Sequence, residues 1–137
     1  MKKSKIHQTI QYTLVVLVTA ILLGFTASCK GDDDDDTPAR KSHKVVFKAI
    51  ASAGSNIKTA VYGYDSTNTT ATSLSGTTWT SPEITSPAGA INVNVGVNAT
   101  GSSSASTLKV QIFVDGELKK EGTSSGEILS ATANYTF

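Results

Sequence analysis

The feature that most constrains the fold is an alternation of apolar and polar residues that begins at residue 44. Near its start, every second position is apolar: Val45, Phe47, Ala49 and Ala51. Successive side chains of a strand point to opposite faces, so this period of two indicates strands with one buried face. Several short strands with turn residues between them, and no helical period, predict an all-β fold, an antiparallel β-sandwich of about seven strands over residues 44–137.

Two regions give the clearest strand predictions. From residue 91 an apolar residue alternates with Asn or Gly, which predicts one buried and one solvated face: Ile91, Val93, Val95 and Val97. Residues 108–114 form another alternating run, followed at once by Asp115-Gly116 and a return strand over residues 117–121. A two-residue Asp-Gly linker suits a type I′ turn, in which both central residues have positive φ, so a hairpin is predicted.

The segment between residues 57 and 76 has a weaker pattern. A strand over residues 57–64 is predicted to place Ile57 and Val61 on one face and Tyr62 and Tyr64 on the other. The following residues, 67–76, are rich in Thr, Ser and Asn, and we expect them to be mostly loop.

The first 28 residues have the features of an export signal. Three lysines precede an apolar stretch over residues 13–25, and the small residues Ala27 and Ser28 precede Cys29. The apolar stretch is shorter than the ~20 residues needed to cross a bilayer. This segment resembles the lipobox signal of bacterial lipoproteins, although Thr26 occupies a position where Leu is common.

The lipobox resemblance implies that residues 1–28 are a removable signal peptide and that Cys29 carries the lipid. Two or more acyl chains hold a protein stably on a membrane, which here would be the outer membrane of the cell envelope. An uncleaved anchor helix, or ordinary cleavage that leaves a free thiol, are the alternatives. Because Cys29 is the only cysteine, no intramolecular disulfide can form, and packing and strand pairing must stabilise the domain.

Residues 29–43 form an acidic tether between the lipid and the domain. Its five adjacent carboxylates repel one another, which predicts an extended and solvated spacer: Asp32, Asp33, Asp34, Asp35 and Asp36. An acidic cluster after an acylated cysteine also resembles the surface-export signal of Bacteroidetes lipoproteins, which would place the domain outside the cell. A calcium site is a weaker interpretation, because the run lacks the turn that wraps ligands around the ion.

The end of the chain resembles a known family. The sequence Leu108-Lys-Val-Gln-Ile-Phe-Val-Asp-Gly-Glu-Leu-Lys-Lys-Glu, with the turn Thr123-Ser-Ser-Gly-Glu and the later Ala131-Thr-Ala, is similar to the end of the MmpS-like domain of small mycobacterial membrane proteins. The resemblance covers residues 44–137 and is strongest in their last part. It implies an immunoglobulin-like β-sandwich outside the cytoplasm that assists an RND-type exporter. Mycobacterial members are held by an N-terminal membrane helix, whereas this chain has a lipobox.

Residue types that carry catalysis or bind metals are sparse. His43 is the only histidine after the signal, so neither a Ser-His-Asp set nor a Cys/His zinc site is expected. Asp115 and Glu117 flank a turn, where we expect them to serve its geometry. We therefore predict no catalytic residue, no metal and no cofactor. The balanced charge of residues 44–137 also argues against binding to nucleic acid.

Some side chains are candidates for binding or modification. Tyr62, Tyr64 and Trp79 would form an aromatic platform for a sugar or peptide, unless they fill the core between the sheets. The sequence Asp65-Ser66-Thr67 resembles the Bacteroidetes acceptor site for an O-linked glycan on Ser66, or is a plain turn. These observations favour a lipid-anchored, non-catalytic envelope protein that contacts a transport complex. The alternative is a surface-exposed module that binds a glycan or a protein.

Overall fold

A computed structural model describes residues 40–137, which contain nine strands. Within these residues no helix is long and apolar enough to span a membrane. The strands are β1 (His43–Ala51), β2 (Asn56–Tyr64), β3 (Thr67–Ala71), β4 (Thr78–Thr80), β5 (Ile84–Ser86), β6 (Asn92–Thr100), β7 (Thr107–Val114), β8 (Glu117–Ser125) and β9 (Ile128–Thr136).

The strands form two antiparallel sheets that pack as a sandwich, which confirms the predicted fold class. The first sheet has the order β4-β1-β7-β8, with β5 also paired to β1, and the second has the order β3-β2-β6-β9. The strand count exceeds the predicted seven because two segments add short strands. One is Thr67–Ala71, and the other is Ile84–Ser86.

The core lies between the sheets and is built by the alternation seen in the sequence. Buried side chains come from every second position of β1, β6, β7 and β9. β2 adds Ile57, and the largest core side chains with no more than 1% exposure are Phe47, Ile57, Leu108, Ile112 and Leu129. Burial of one such side chain contributes ~1.5–3 kcal/mol to the free energy of folding. The hydrophobic effect is therefore the main stabilising force.

The face assignment in β2 was wrong. Ile57 and Tyr62 are both buried, whereas Val61 is 39% exposed. The pairing of β2 with β6 shifts register between Ile57 and Thr59, which is the mark of a β-bulge. One extra residue in a strand moves every later side chain to the opposite face, so Ile57 shares its face with Tyr62.

The expected loop at residues 67–76 was also partly wrong, because its first half is β3. β3 pairs with β2 from Tyr64↔Thr67 to Ala60↔Ala71, and threonine is well suited to a strand with a solvated face. The connecting turn places Asp65 at a φ of 48°. Aspartate tolerates this left-handed conformation better than most residues, which allows the chain to reverse here.

The Asp65 carboxylate also explains the position of Ile91, which was predicted to be buried and is 60% exposed. Its Oδ1 accepts hydrogen bonds from the backbone N–H groups of Ile91 and Asn92, at 2.9 and 3.1 Å. These bonds hold residue 91 at the turn, so β6 begins one residue later, at Asn92.

The predicted hairpin between β7 and β8 is confirmed. Asp115 and Gly116 have φ angles of 51° and 83°, and Val114 pairs directly with Glu117. Positive φ at both central positions is the requirement of a type I′ turn. The return strand continues to Ser125, beyond its predicted end at residue 121.

The two sheets approach each other closely where β8 is followed by β9. A Cβ atom placed on Gly122 would lie 1.8 Å from the carbonyl oxygen of Thr132. Any side chain at residue 122 would collide with this carbonyl, so only glycine allows the two backbones to lie so close together.

The opposite edge of the first sheet is divided. β4 and β5 pair with different halves of β1, and Ser81 and Pro82 lie between them. Ser81 bridges the interruption, because its backbone N–H donates to the Phe47 carbonyl at 2.9 Å and its Oγ accepts from the Phe47 N–H at 3.0 Å. The backbone groups of Phe47 therefore stay paired although the edge strand is broken.

Candidate functional site

The predicted lipidation site and the acidic run lie outside the described residues. Cys29, Asp32, Asp33, Asp34, Asp35 and Asp36 all precede residue 40, where the description begins. The lipid anchor and the export signal therefore stay predictions. The candidate sites below belong to the sandwich itself.

The first candidate, the His43 cluster, comprises His43, Asp115, Tyr135 and Phe137 at one end of the sandwich. The antiparallel pairing of β1 with β7 brings the start of β1 beside the turn after β7. His43 Nδ1 donates to Asp115 Oδ2 at 2.7 Å, and the Lys44 backbone N–H donates to Oδ1 at 2.9 Å. The Phe137 ring stacks on the imidazole, with 4.6 Å between ring centroids.

Hydrogen bonds in and beside this cluster favour the charged forms of Asp115 and Lys119. The hydrogen bond from His43, followed by that from the Lys44 backbone, lowers the pKa of Asp115. Nearby, the hydrogen bond from Lys119 to Glu117, at 2.6 Å, raises the pKa of the lysine. The cleft beside these groups has a volume of about 210 Å³.

The chemistry of the His43 cluster fits a structural role. Residues 40–137 contain no group of three or more His, Cys, Asp or Glu side chains that could hold a metal ion. Asp115 uses both carboxylate oxygens to fix the turn and the start of β1. Sequence reasoning missed this pair, because no local pattern indicates that β1 pairs with β7 and so brings His43 beside Asp115.

The aromatic residues predicted as a binding platform do not form one. Tyr62 is only 5% exposed, and its ring lies between Phe47 and Trp79, at centroid distances of 5.4 and 5.3 Å. Trp79 and Tyr64 are half-buried and pack against the core. The bulge in β2 turns Tyr62 inward, so its ring has no open face for a ligand.

Ser66, the predicted glycosylation site, lies at the exposed turn between β2 and β3. The preceding Asp65 has its carboxylate engaged by the backbone of Ile91 and Asn92. Ser66 is therefore held at a fixed turn and stays accessible to a modifying enzyme.

The outer face of the first sheet presents an apolar row made of Val46, Phe113 and Leu118. These residues are register neighbours on three adjacent strands, β1, β7 and β8. Val46 and Phe113 are half-buried, and Leu118 is 42% exposed. Lys48 Nζ lies 4.6 Å from the centroid of the Phe113 ring, a cation–π contact at the border of the row.

The outer face of the second sheet contains a different feature, a groove of about 520 Å³. We call it the amide groove, because asparagines line it. Val61, Gly96 and Thr132 are register neighbours on β2, β6 and β9, and Asn94 and Asn134 form the adjacent pair. Lys120 and Glu121 of β8 lie at its side.

Comparisons with known proteins assign no family to this chain. No protein-family model matches the sequence, and a search of curated proteins found no matching relative. The similarity to MmpS-like domains therefore stays a prediction. The structure itself defines an all-β sandwich of two antiparallel sheets with two chemically distinct outer faces.

Proposed function

We propose that this chain is a non-catalytic envelope protein, anchored by a lipid on Cys29, that binds a protein partner through the apolar row. The observation that carries the proposal is the row itself, in which Val46, Phe113 and Leu118 lie side by side on a solvated sheet face. Contiguous exposed apolar residues bordered by polar ones are characteristic of protein interaction surfaces.

The chemistry around the apolar row supports a protein partner. Phe113 supplies an aromatic anchor of the kind that contributes most to binding energy at interfaces. The neighbouring pair Gln111 and Glu121 is joined by a hydrogen bond of 2.6 Å, and Lys109 lies 3.5 Å from the same carboxylate. An apolar centre with a polar, charged border matches the usual composition of an interface.

The partner class and the anchor come from the two sequence resemblances. The similarity of residues 108–137 to MmpS-like domains supports a membrane transport complex, of the RND exporter class, as the partner. The lipobox-like segment supports attachment to the outer membrane through Cys29.

The contact is tested by affinity purification of the full-length chain from detergent-solubilised envelopes. We expect the parent chain to recover a membrane transporter, and the variants Phe113→Ser and Leu118→Ser to recover at least about tenfold less, because each loses ~1.4 kcal/mol or more of binding energy. Ile50→Ser is the matched control, since Ile50 is 47% exposed and lies outside the row. Recovery of no membrane protein, or equal recovery with the row variants, would contradict the proposal.

The anchor is tested by growing cells with labelled palmitate. We expect the parent chain to take up the label and the Cys29→Ala variant to take up none, because the cysteine sulfur is the site of attachment. The variant should also move from the membrane fraction to the soluble fraction. A parent chain that stays unlabelled would exclude the lipid anchor without bearing on the apolar row.

The alternative function is a surface-exposed module that binds a glycan or a protein. It is favoured by the acidic run at residues 32–36, which resembles a surface-export signal. Protease treatment of intact cells separates the two possibilities. A subunit that works inside the envelope should survive the treatment, whereas a module displayed on the surface should be removed.

A further inference from the structure

The amide groove is an open depression with the volume of a ligand site. Its volume of about 520 Å³ falls within the ~300–1,000 Å³ range of small-molecule pockets. Gly96 lies at its centre, between Val61 and Thr132 on the neighbouring strands, and its missing side chain forms the floor. A Cβ atom on Gly96 would meet only Thr132 Cγ2, at 3.6 Å, so the space above it is open.

The polar groups of the groove are oriented by hydrogen bonds within the sheet. The Asn94 side-chain Nδ2 donates to the Asp65 carbonyl at 3.3 Å, and Asn134 Nδ2 donates to Asn92 Oδ1 at 3.4 Å. A side-chain amide offers two donors and a carbonyl oxygen. Each of these two amides therefore keeps a donor and an acceptor for a ligand, beside the hydroxyl of Thr132.

The lining has no net formal charge, which is compatible with a neutral ligand, and Lys120 is its one charged group without an ion pair among the described residues. Lys120 and Glu121 contribute one cation and one anion, and the other lining residues are neutral. The Glu121 carboxylate is already engaged by Gln111 and Lys109. Amide and hydroxyl groups around the apolar side chain of Val61 suit a molecule with many hydroxyl groups and apolar C–H surfaces.

An extended peptide fits the groove less well. Peptides that join a sheet pair with the free backbone groups of an edge strand. The floor of this groove is formed by β6, which is hydrogen-bonded to β2 on one side and to β9 on the other. A peptide lying on this floor therefore finds no unpaired backbone on β6, and the edge strand β9 is closely approached by β8, since a Cβ atom on Gly122 would lie against the Thr132 carbonyl.

We propose that the amide groove binds a neutral oligosaccharide. The inference does not depend on the lipid anchor, and the groups proposed to bind the ligand belong to β2, β6 and β9 of the second sheet. Glu121 of β8 lies at the side of the groove and also borders the apolar row. Its hydrogen bonds to the sugar hydroxyls come from Asn94, Asn134 and Thr132, and Val61 contacts the C–H face of a ring.

The test is binding of the full-length chain to an array of neutral oligosaccharides, acidic oligosaccharides and peptides, in a detergent without a sugar headgroup. We expect retention on one or more neutral oligosaccharides. The Gly96→Val variant places a side chain in the open space above residue 96, where the strand tolerates one. We expect this variant to bind the oligosaccharide at least about tenfold more weakly than the parent chain does. Asn134→Ala, which removes one amide, should weaken binding similarly.

Ser130→Val is the matched control, because Ser130 lies on the same face of β9 outside the groove lining. It should bind as the parent does, and circular dichroism should show the same melting transition for all variants that are compared. Three results would overturn the proposal: no neutral oligosaccharide is retained, Gly96→Val binds as well as the parent, or acidic oligosaccharides or peptides are bound in preference.

Discussion

The imidazole Nδ1 of His43 lies 2.7 Å from Oδ2 of Asp115, although the two residues are 72 positions apart in the chain. The contact joins the first residue of β1 to the turn that follows β7. The second carboxylate oxygen accepts a hydrogen bond from the Lys44 backbone. A single side chain thus fixes the turn and the strand start beside it, at the point where residues 40–42 lead into the sandwich.

This contact predicts how stability depends on pH. Because the pKa of Asp115 is lowered in the folded state, its carboxylate stabilises the fold above its unfolded pKa of ~4, and this contribution is lost as pH falls through the lower folded pKa. Asn keeps the left-handed turn conformation but has no charge. We expect Asp115→Asn to lower the melting temperature at neutral pH and to weaken its dependence on pH below ~4.

The matched control for that measurement is Glu83→Gln. It removes the same charge from a solvent-exposed pair with Lys44, whose nitrogen–oxygen distance is 3.2 Å. Exposed pairs of this kind contribute little to stability, so thermal unfolding at the same pH values should be nearly unchanged. Equal melting temperatures for the two variants at each pH would show that the His43–Asp115 contact stabilises the fold no more than an exposed ion pair does.

A second prediction concerns the close approach of β8 to β9. Gly122→Ala would place a Cβ atom against the Thr132 carbonyl, and we expect a loss of ~1–3 kcal/mol in the free energy of unfolding. Gly96→Ala meets no such obstacle and should be neutral or should stabilise by ~0.5–1 kcal/mol. Urea denaturation of both variants measures the difference, and similar free energies would contradict the close approach.

A third prediction tests the inward and outward faces of β1. Phe47→Ala empties a fully buried position between the sheets and should cost ~3–5 kcal/mol, as is usual for large core aromatics. Val46→Ala, one residue earlier on the half-buried outer face, removes a smaller side chain that solvent already reaches. It should cost less than ~1 kcal/mol, and chemical denaturation that ranks the two in the opposite order would refute the assigned faces.

A fourth prediction concerns Ser66. Glycosylation of Ser66 predicts that the parent chain isolated from its own cells is heavier than Ser66→Ala by the mass of a glycan, because the lipid on Cys29 and the cleavage after residue 28 affect both chains equally. Ser104→Ala, at another exposed loop serine, should leave the excess unchanged. Mass spectrometry of the intact chains measures this difference, and the same glycan mass on the parent and on Ser66→Ala would exclude this site.

The sandwich was predictable from the sequence because its strands are long and strictly alternating. The alternating positions Leu108, Val110, Ile112 and Val114 of β7 are all buried as expected. The Asp115-Gly116 turn was equally predictable, because few residue pairs tolerate positive φ at both positions. In these segments local preference and tertiary packing require the same structure.

The remaining features depend on contacts that a single sequence does not specify. The bulge near Thr59 shifts the register by one residue, and this shift is what carries Tyr62 into the core and Val61 to the amide groove. Likewise β3 became a strand because it could pair with the edge of β2. Neither outcome follows from composition, since each depends on which strand lies alongside.

The broken edge of the first sheet has a consequence for the chain at high concentration. β4 and β5 contain three residues each and are separated by Ser81, Pro82 and Glu83. A strand from a neighbouring molecule would find no long, straight backbone there to join. Along this border, crowded copies are therefore protected from fusing into a common aggregate.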